Sequence, residues 1–178
     1  LRIQPQAFAN VQIGEVLLLQ SGVLYGAGRD KDGVQVELGA TSGIISGTAN
    51  LVKAGPGTIA ISGAHTYVGT TTVSAGVLQA GATNGFNTTS AHIIDAGTTL
   101  RLNNFAATVG SLAGAGTVDN LNGTAGRALT TGGNNASTTF SGVLQNGGSF
   151  GLGLVKVGTG MMTLTGNNTM TGNYTVNG

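Results

Sequence analysis

The chain has no cysteine and no tryptophan, and only two prolines, five phenylalanines and three tyrosines in 178 residues. Without cysteine there can be no disulfide, thiolate nucleophile or Cys-ligated metal, so the fold must hold without covalent staples. Charge is equally scarce, at 7% of residues against about a quarter in an ordinary soluble domain. The formal net charge is +1 and the lysines and arginines are scattered singly. That excludes a phosphate-tracking patch or a polybasic membrane surface, and nucleic acid is not an expected partner. No run approaches the ~18 apolar residues of a membrane helix; the nearest, Val16 to Leu19 followed by Val23 and Leu24, is broken by Gly22. Leu1 to Asn10 lacks the charged, apolar and cleavage regions of a signal peptide. The chain starts at Leu1 without a methionine and stops at Gly178 inside a motif described below, so it is expected to be a piece of a longer protein.

Apolar residues at 40% and 33 glycines remain to be accounted for, together with abundant Thr, Ser and Asn. The apolar content suffices for a core, and the polar residues are those that suit strands and turns better than helix interiors. A helical protein is not expected.

Self-similarity is the strongest signal in the sequence. Residues 51–76 read LVKAGPGTIAISGAHTYVGTTTVSAG and residues 154–178 read LVKVGTGMMTLTGNNTMTGNYTVNG, with Leu, Val, Lys, Gly and Thr recurring in register. A short apolar stretch precedes each copy, SGIISG at 42–47 and SGVLQNG at 141–147. Inside the unit, Ile59 and Ile61 alternate with Thr58, Ala60 and Ser62, as Met162 and Leu164 alternate with Met161, Thr163 and Thr165. Period two predicts strands with one buried face. The alternation returns at Val73, 77–80, Leu100 and Leu102, and 118–121, with Gly, Asn or Ser-Gly between stretches.

Many short strands could form a sandwich, a membrane barrel or a solenoid. A sandwich calls for hairpin turns and a core of large residues, and a membrane barrel for ~10-residue strands and aromatic girdles. A direct repeat of small residues with glycine corners fits a right-handed parallel β-helix, an all-β solenoid whose turns stack ~4.8 Å apart with like residues in ladders. At ~20 residues per turn, eight or nine turns and a rod roughly 40 Å long are expected.

Leu51, Lys53, Gly55, Gly57, Ile59, Ile61, Gly63, Tyr67, Gly69, Thr71 and Val73 follow a known signature, met again at Leu154, Lys156, Gly158, Gly160, Met162, Leu164, Gly166, Asn168, Gly172 and Val176. In these residues the chain resembles autotransporter passengers carrying the passenger-associated transport repeat, also called the autotransporter-associated β-strand repeat. Residues 110–118 (GSLAGAGTV) and 129–144 (LTTGGNNASTTFSGVL) are also typical of such passengers. The copies depart from the pattern at His65, where Asn is usual, and at Met170, which replaces an aromatic. Residues 1–40 match loosely and are expected to be N-terminal coils of the solenoid, with the repeat-bearing coils at 41–178.

The resemblance implies a Gram-negative surface or secreted protein, translocated by its own C-terminal outer-membrane barrel. It implies a structural or adhesive stalk, with the repeat assisting export and folding at the cell surface. Host-surface or matrix ligands and self-association are the partners it suggests. The alternatives are a carbohydrate-active β-helix enzyme and an ice-binding solenoid.

No catalytic, cofactor-binding or metal-binding residues are expected, and no cofactor. Arg29 to Gly33 holds an Asp-x-Asp-Gly fragment of a calcium loop, but Glu37 comes too early to be its closing ligand. A polysaccharide lyase or hydrolase would need paired acids on neighbouring coils. The acids are Glu15, Asp30, Asp32, Glu37, Asp95 and Asp119, and the nearest constellation is Asp95 with His92 and Arg101, with Asp119 one coil on. His65 and His92 lack a third ligand at a regular spacing and are expected at the surface or in turns. Lys53 and Lys156, at equivalent positions, are expected to lay their stems along the coil with the ammonium in water. Thr70 to Thr72, Thr88, Thr89, Thr98, Thr99, Thr138 and Thr139 are the residues an outward ice-binding ladder would use. Asn-x-Ser/Thr at Asn87, Asn122, Asn135, Asn167 and Asn173 reflects the tolerance of Asn for tight turns.

Overall fold

The computed structural model describes residues 44–48 and 50–178 in full, and before them the backbone of four strands. These are β1 (Val11–Ile13), β2 (Leu17–Gln20), β3 (Val23–Gly26) and β4 (Glu37–Leu38). Most of the 1–40 segment, including the Arg29–Gly33 cluster, lies outside the described residues.

From there the chain winds in parallel turns. The first holds β5 (Ile45–Gly47), β6 (Leu51–Ala54) and β7 (Thr58–Ile61). The next two hold β8 (Thr71–Val73) with β9 (Val77–Ala80), and β10 (Ala91–Ile94) with β11 (Thr99–Arg101). Then come β12 (Ala107–Val109), β13 (Ser111–Gly114) and β14 (Thr117–Asp119), followed by β15 (Arg127–Thr131), β16 (Thr138–Phe140) and β17 (Val143–Gln145). The next turn holds β18 (Leu152–Val157) and β19 (Met162–Leu164), and β20 (Tyr174–Asn177) opens the turn after it by stacking on β18.

Stacking sorts these strands onto three faces. Face one runs β19-β16-β13-β10-β8-β6-β2 and is extended by β3 and β4, face two runs β17-β14-β11-β9-β7, and face three runs β12-β15-β18-β20. β1 pairs with β5 in a separate two-stranded sheet. Among the described strands all pairings between the coils are parallel, and only β2–β3 and β3–β4 are antiparallel. The protein is the parallel β-solenoid that the direct repeat and glycine corners predict.

The core is a set of ladders along the rod. On face two, Ile59, Leu78, Leu100, Val118 and Leu144 stack one above another, and all are buried. On face one the inward columns are Leu51–Thr71–His92–Leu112 and Lys53–Val73–Ile94–Gly114–Phe140–Leu164. On face three they are Ala107–Leu129–Leu154 and Val109–Thr131–Lys156, with exposed Tyr174 and Val176 of β20 in register at the end of each. Each leucine or isoleucine so buried contributes roughly 1.5–3 kcal/mol.

The described residues wind through about six turns. Leu51 meets Thr71 and Leu154 meets Tyr174, but Gly114 meets Phe140 and Phe140 meets Leu164, so the turns between 114 and 164 are longer. The extra residues form loops such as 132–137 and 146–151 that add surface without adding a coil.

Candidate functional site

Lys53 faces inward because it sits two residues from Leu51 on the same side of β6, and it is fully buried. Its Nζ donates to the carbonyls of Ala54 (3.0 Å), Gly55 (2.7 Å) and Ala75 (2.9 Å). Two of these belong to its own corner and the third to the next coil, and burial lowers its pKa from the usual lysine value. Lys156 is also in an inward column, half-buried, and donates to Val157 O (2.6 Å) and Gly158 O (2.8 Å). The expectation of a hydrated ammonium is therefore wrong for Lys53. The corner carbonyls left without strand partners are the reason, since a cation satisfies them at a place where water is excluded.

His65 is buried too, in the connection that follows β7. Its Nδ1 accepts the amide of Ile45, one turn earlier, at 3.1 Å. In the second copy Asn168 stands at the same position, and its Oδ1 accepts the amide of Leu144 at 2.8 Å. Ile45 and Leu144 are themselves equivalent in SGIISG and SGVLQNG. The carbonyls of the same two residues accept from Thr66 N and Thr169 N. The histidine thus performs the task of the usual asparagine, tying a strandless connection to the turn before it.

A buried polar chain continues from there. Tyr67 Oη bonds Thr71 Oγ1, which bonds Ser90 Oγ at 3.0 Å, and Ser90 Oγ donates to Gly69 O at 2.7 Å. His92, fully buried between Thr71 and Leu112, holds Ser90 O through Nδ1 at 3.0 Å and has its ring centroid 6.0 Å from that of Phe86. Asn87 donates to Tyr67 O and accepts from Thr89 N and Ser90 N. Burial pushes the Tyr67 phenol up to about 12 and the His92 imidazole down to about 4.

These residues do not assemble the constellation considered from the sequence. His92 points into the core, whereas Asp95 is exposed at the end of β10. Arg101 pairs with Asp119 on the adjacent coil, at 2.9 Å from Nε and 3.0 Å from Nη2, on the outside of face two. Among the described residues no group of three His, Asp or Glu side chains could hold a metal. The threonines do not form one flat ladder either, because Thr71 and Thr98 are buried. Asn122 and Asn135 adopt left-handed φ of 63° and 60°, as turn asparagines should, while Asn87 is buried.

The outer faces are nearly free of charge. Face one presents Val52, Thr72, Ile93 and Ala113 in register, and face two presents Thr58, Val77, Thr99, Thr117 and Val143. Such faces offer breadth.

The passenger-associated-transport-repeat pattern matches residues 51–80 and 154–178. Over 127 residues, 70% of its length, the chain is 38% identical to the adhesin BmaC autotransporter of Brucella suis biovar 1 (strain 1330). The chain belongs to the passenger-associated-transport-repeat family of autotransporter passengers. It spans 4% of that adhesin's length. No solved structure matches it. The repeat's signature now has a physical reading: its Leu and Ile positions are the ladders, its Lys fills the carbonyl corner, and its Asn position ties the connection to the preceding turn.

Proposed function

We propose that this passenger segment is a non-catalytic stalk that carries adhesive surface away from the outer membrane of a Gram-negative cell, and that its repeat assists export. The observation that carries the reading is the way one repeat closes one turn. Its first strand pairs with its own last, β6 with β8 and β18 with β20, so every module leaves a finished strand edge on which the next can form. A chain emerging from its own C-terminal barrel would fold turn upon turn on such an edge, without needing distant residues. Broad, sparsely charged faces suit avidity-driven contact with a host surface or matrix better than turnover of a substrate.

The test uses the whole autotransporter in its cell. Ile61→Asp places an uncompensated charge in the ladder of face two. Protease shaving of intact cells should then show slower appearance of the passenger outside, at unchanged total synthesis. Normal display kinetics would overturn the export role. Deletion of 51–178 with retained display should lower binding of cells to host matrix, and undiminished binding would overturn the adhesive role.

A further inference from the structure

The two repeat copies solve one problem with different chemistry, and the difference bears on acid. Ile45 N can only donate, so His65 Nδ1 must be unprotonated to accept it. Protonation would set N–H against N–H in a buried place. His92 has the opposite tautomer, since a carbonyl can only accept: Nδ1–H donates to Ser90 O, and the bare Nε2 is buried without a hydrogen-bond partner among the described residues. Asn168 makes the bond of His65 with a group that does not titrate.

We propose that the turns around His65 and His92 form an acid-triggered latch, in which imidazole protonation frees the connection 62–70 from β5 and loosens β8 to β10, while Asn168 keeps the second repeat closed.

Nothing in the described surroundings would neutralise the new charges. His65 meets the Ile45 amide, the Gly85 backbone and the Tyr67 ring, whose centroid is 6.4 Å away. His92 meets Thr71 of β8, Leu112 of β13, Ser90 and Phe86, with Tyr67 reached through Thr71. Tyr67 is neutral and held so by burial. Of the described carboxylates, Asp95 is exposed and Asp119 is engaged by Arg101. Lys53, on β6, adds a like charge to this end of the core.

Burial holds His65 and His92 down to about 4 each, the Gly85 and Ser90 backbones offsetting part of the shift. The folded pKa lies below the unfolded value of about 6.5, so the open state takes up protons first and closure weakens as pH falls from about 6.5 towards 4. Near pH 4.5 the bias towards opening is on the order of 50-fold per histidine. In a solenoid each turn rests only on its neighbours, so the effect stays local.

Amide exchange read by mass spectrometry at about pH 7 and about pH 4.5, corrected for intrinsic rates, tests this. Protection in 45–47, 66–73 and 90–94 should fall on the order of 50-fold or more on acidification, while 138–145 and 162–164 keep theirs. His65→Asn should restore acid protection at 45 and 66–68. Asn168→His should move the lability to 144 and 169. Unchanged protection in the unsubstituted chain, uniform loss in all turns, or equal lability of the His65→Asn chain would each overturn the latch. If His65→Asn does not fold at neutral pH, an acid-stable Asn168→His chain overturns it on its own.

Discussion

A lysine aimed into a narrow core needs acceptors, and Lys53 finds them in the backbone of two consecutive corners. This makes it an inter-coil clamp, because Ala75 O belongs to the turn after its own. Lys53→Ala would leave those carbonyls without a donor and should lower stability by about 2–4 kcal/mol. Lys156→Ala, with two carbonyls and a half-buried stem, should cost about 1 kcal/mol. Urea unfolding of both variants checks the ranking, and equal losses would contradict the clamp. Residue type alone pointed the other way, since lysine is ordinarily a solvated side chain. The readable signal was positional: Lys53 and Lys156 share the parity of Leu51 and Leu154, the inward parity of their strands. His65 and His92 were expected at the surface or in turns and are buried instead, His65 because it takes the place that Asn168 holds in the second copy and His92 because it has the inward parity of β10. The Tyr67–Thr71–Ser90 chain was not legible, because its members come from different turns and meet only once the register is known.

At the scale of elements, strands were readable and turn lengths were not. Alternation placed Ile59, Ile61, Leu78, Leu100 and Val118 inward, and all are buried. It misled at 118–121, where β14 ends at Asp119 and Asn120 turns inward while Leu121 does not. Corners are set by close backbone approach instead. A Cβ on Gly142 would lie 1.8 Å from Gly116 O, and one on Gly166 would lie 1.8 Å from Gly142 O, so these glycines stack as a column with no room for a side chain. Gly142→Ala should therefore cost about 1–3 kcal/mol. Gly133→Ala, where nothing lies within 4 Å, should stay within about 0.5 kcal/mol of the unsubstituted chain. Thermal melts of the pair distinguish a packed corner from a general intolerance of substitution.

For the whole molecule, stability is a sum over neighbouring turns rather than the property of one core. Ile61→Asp should accordingly strip exchange protection from β7 and β9 first and leave β16 and β19 protected. Simultaneous loss everywhere would mean that the rod unfolds as one unit. The repeat copies also occupy different faces. The first lays its opening strand on face one and its middle strand on face two, whereas the second uses face three and then face one. Sequence similarity could not reveal that offset, because it arises from the lengths of the intervening turns. Its consequence concerns heredity as much as shape. A module that begins and ends on the same edge can be duplicated or deleted in frame without spoiling the rod, and each added copy can point a new flank outward, so surface variety accrues through copy number and orientation with little need for new residues.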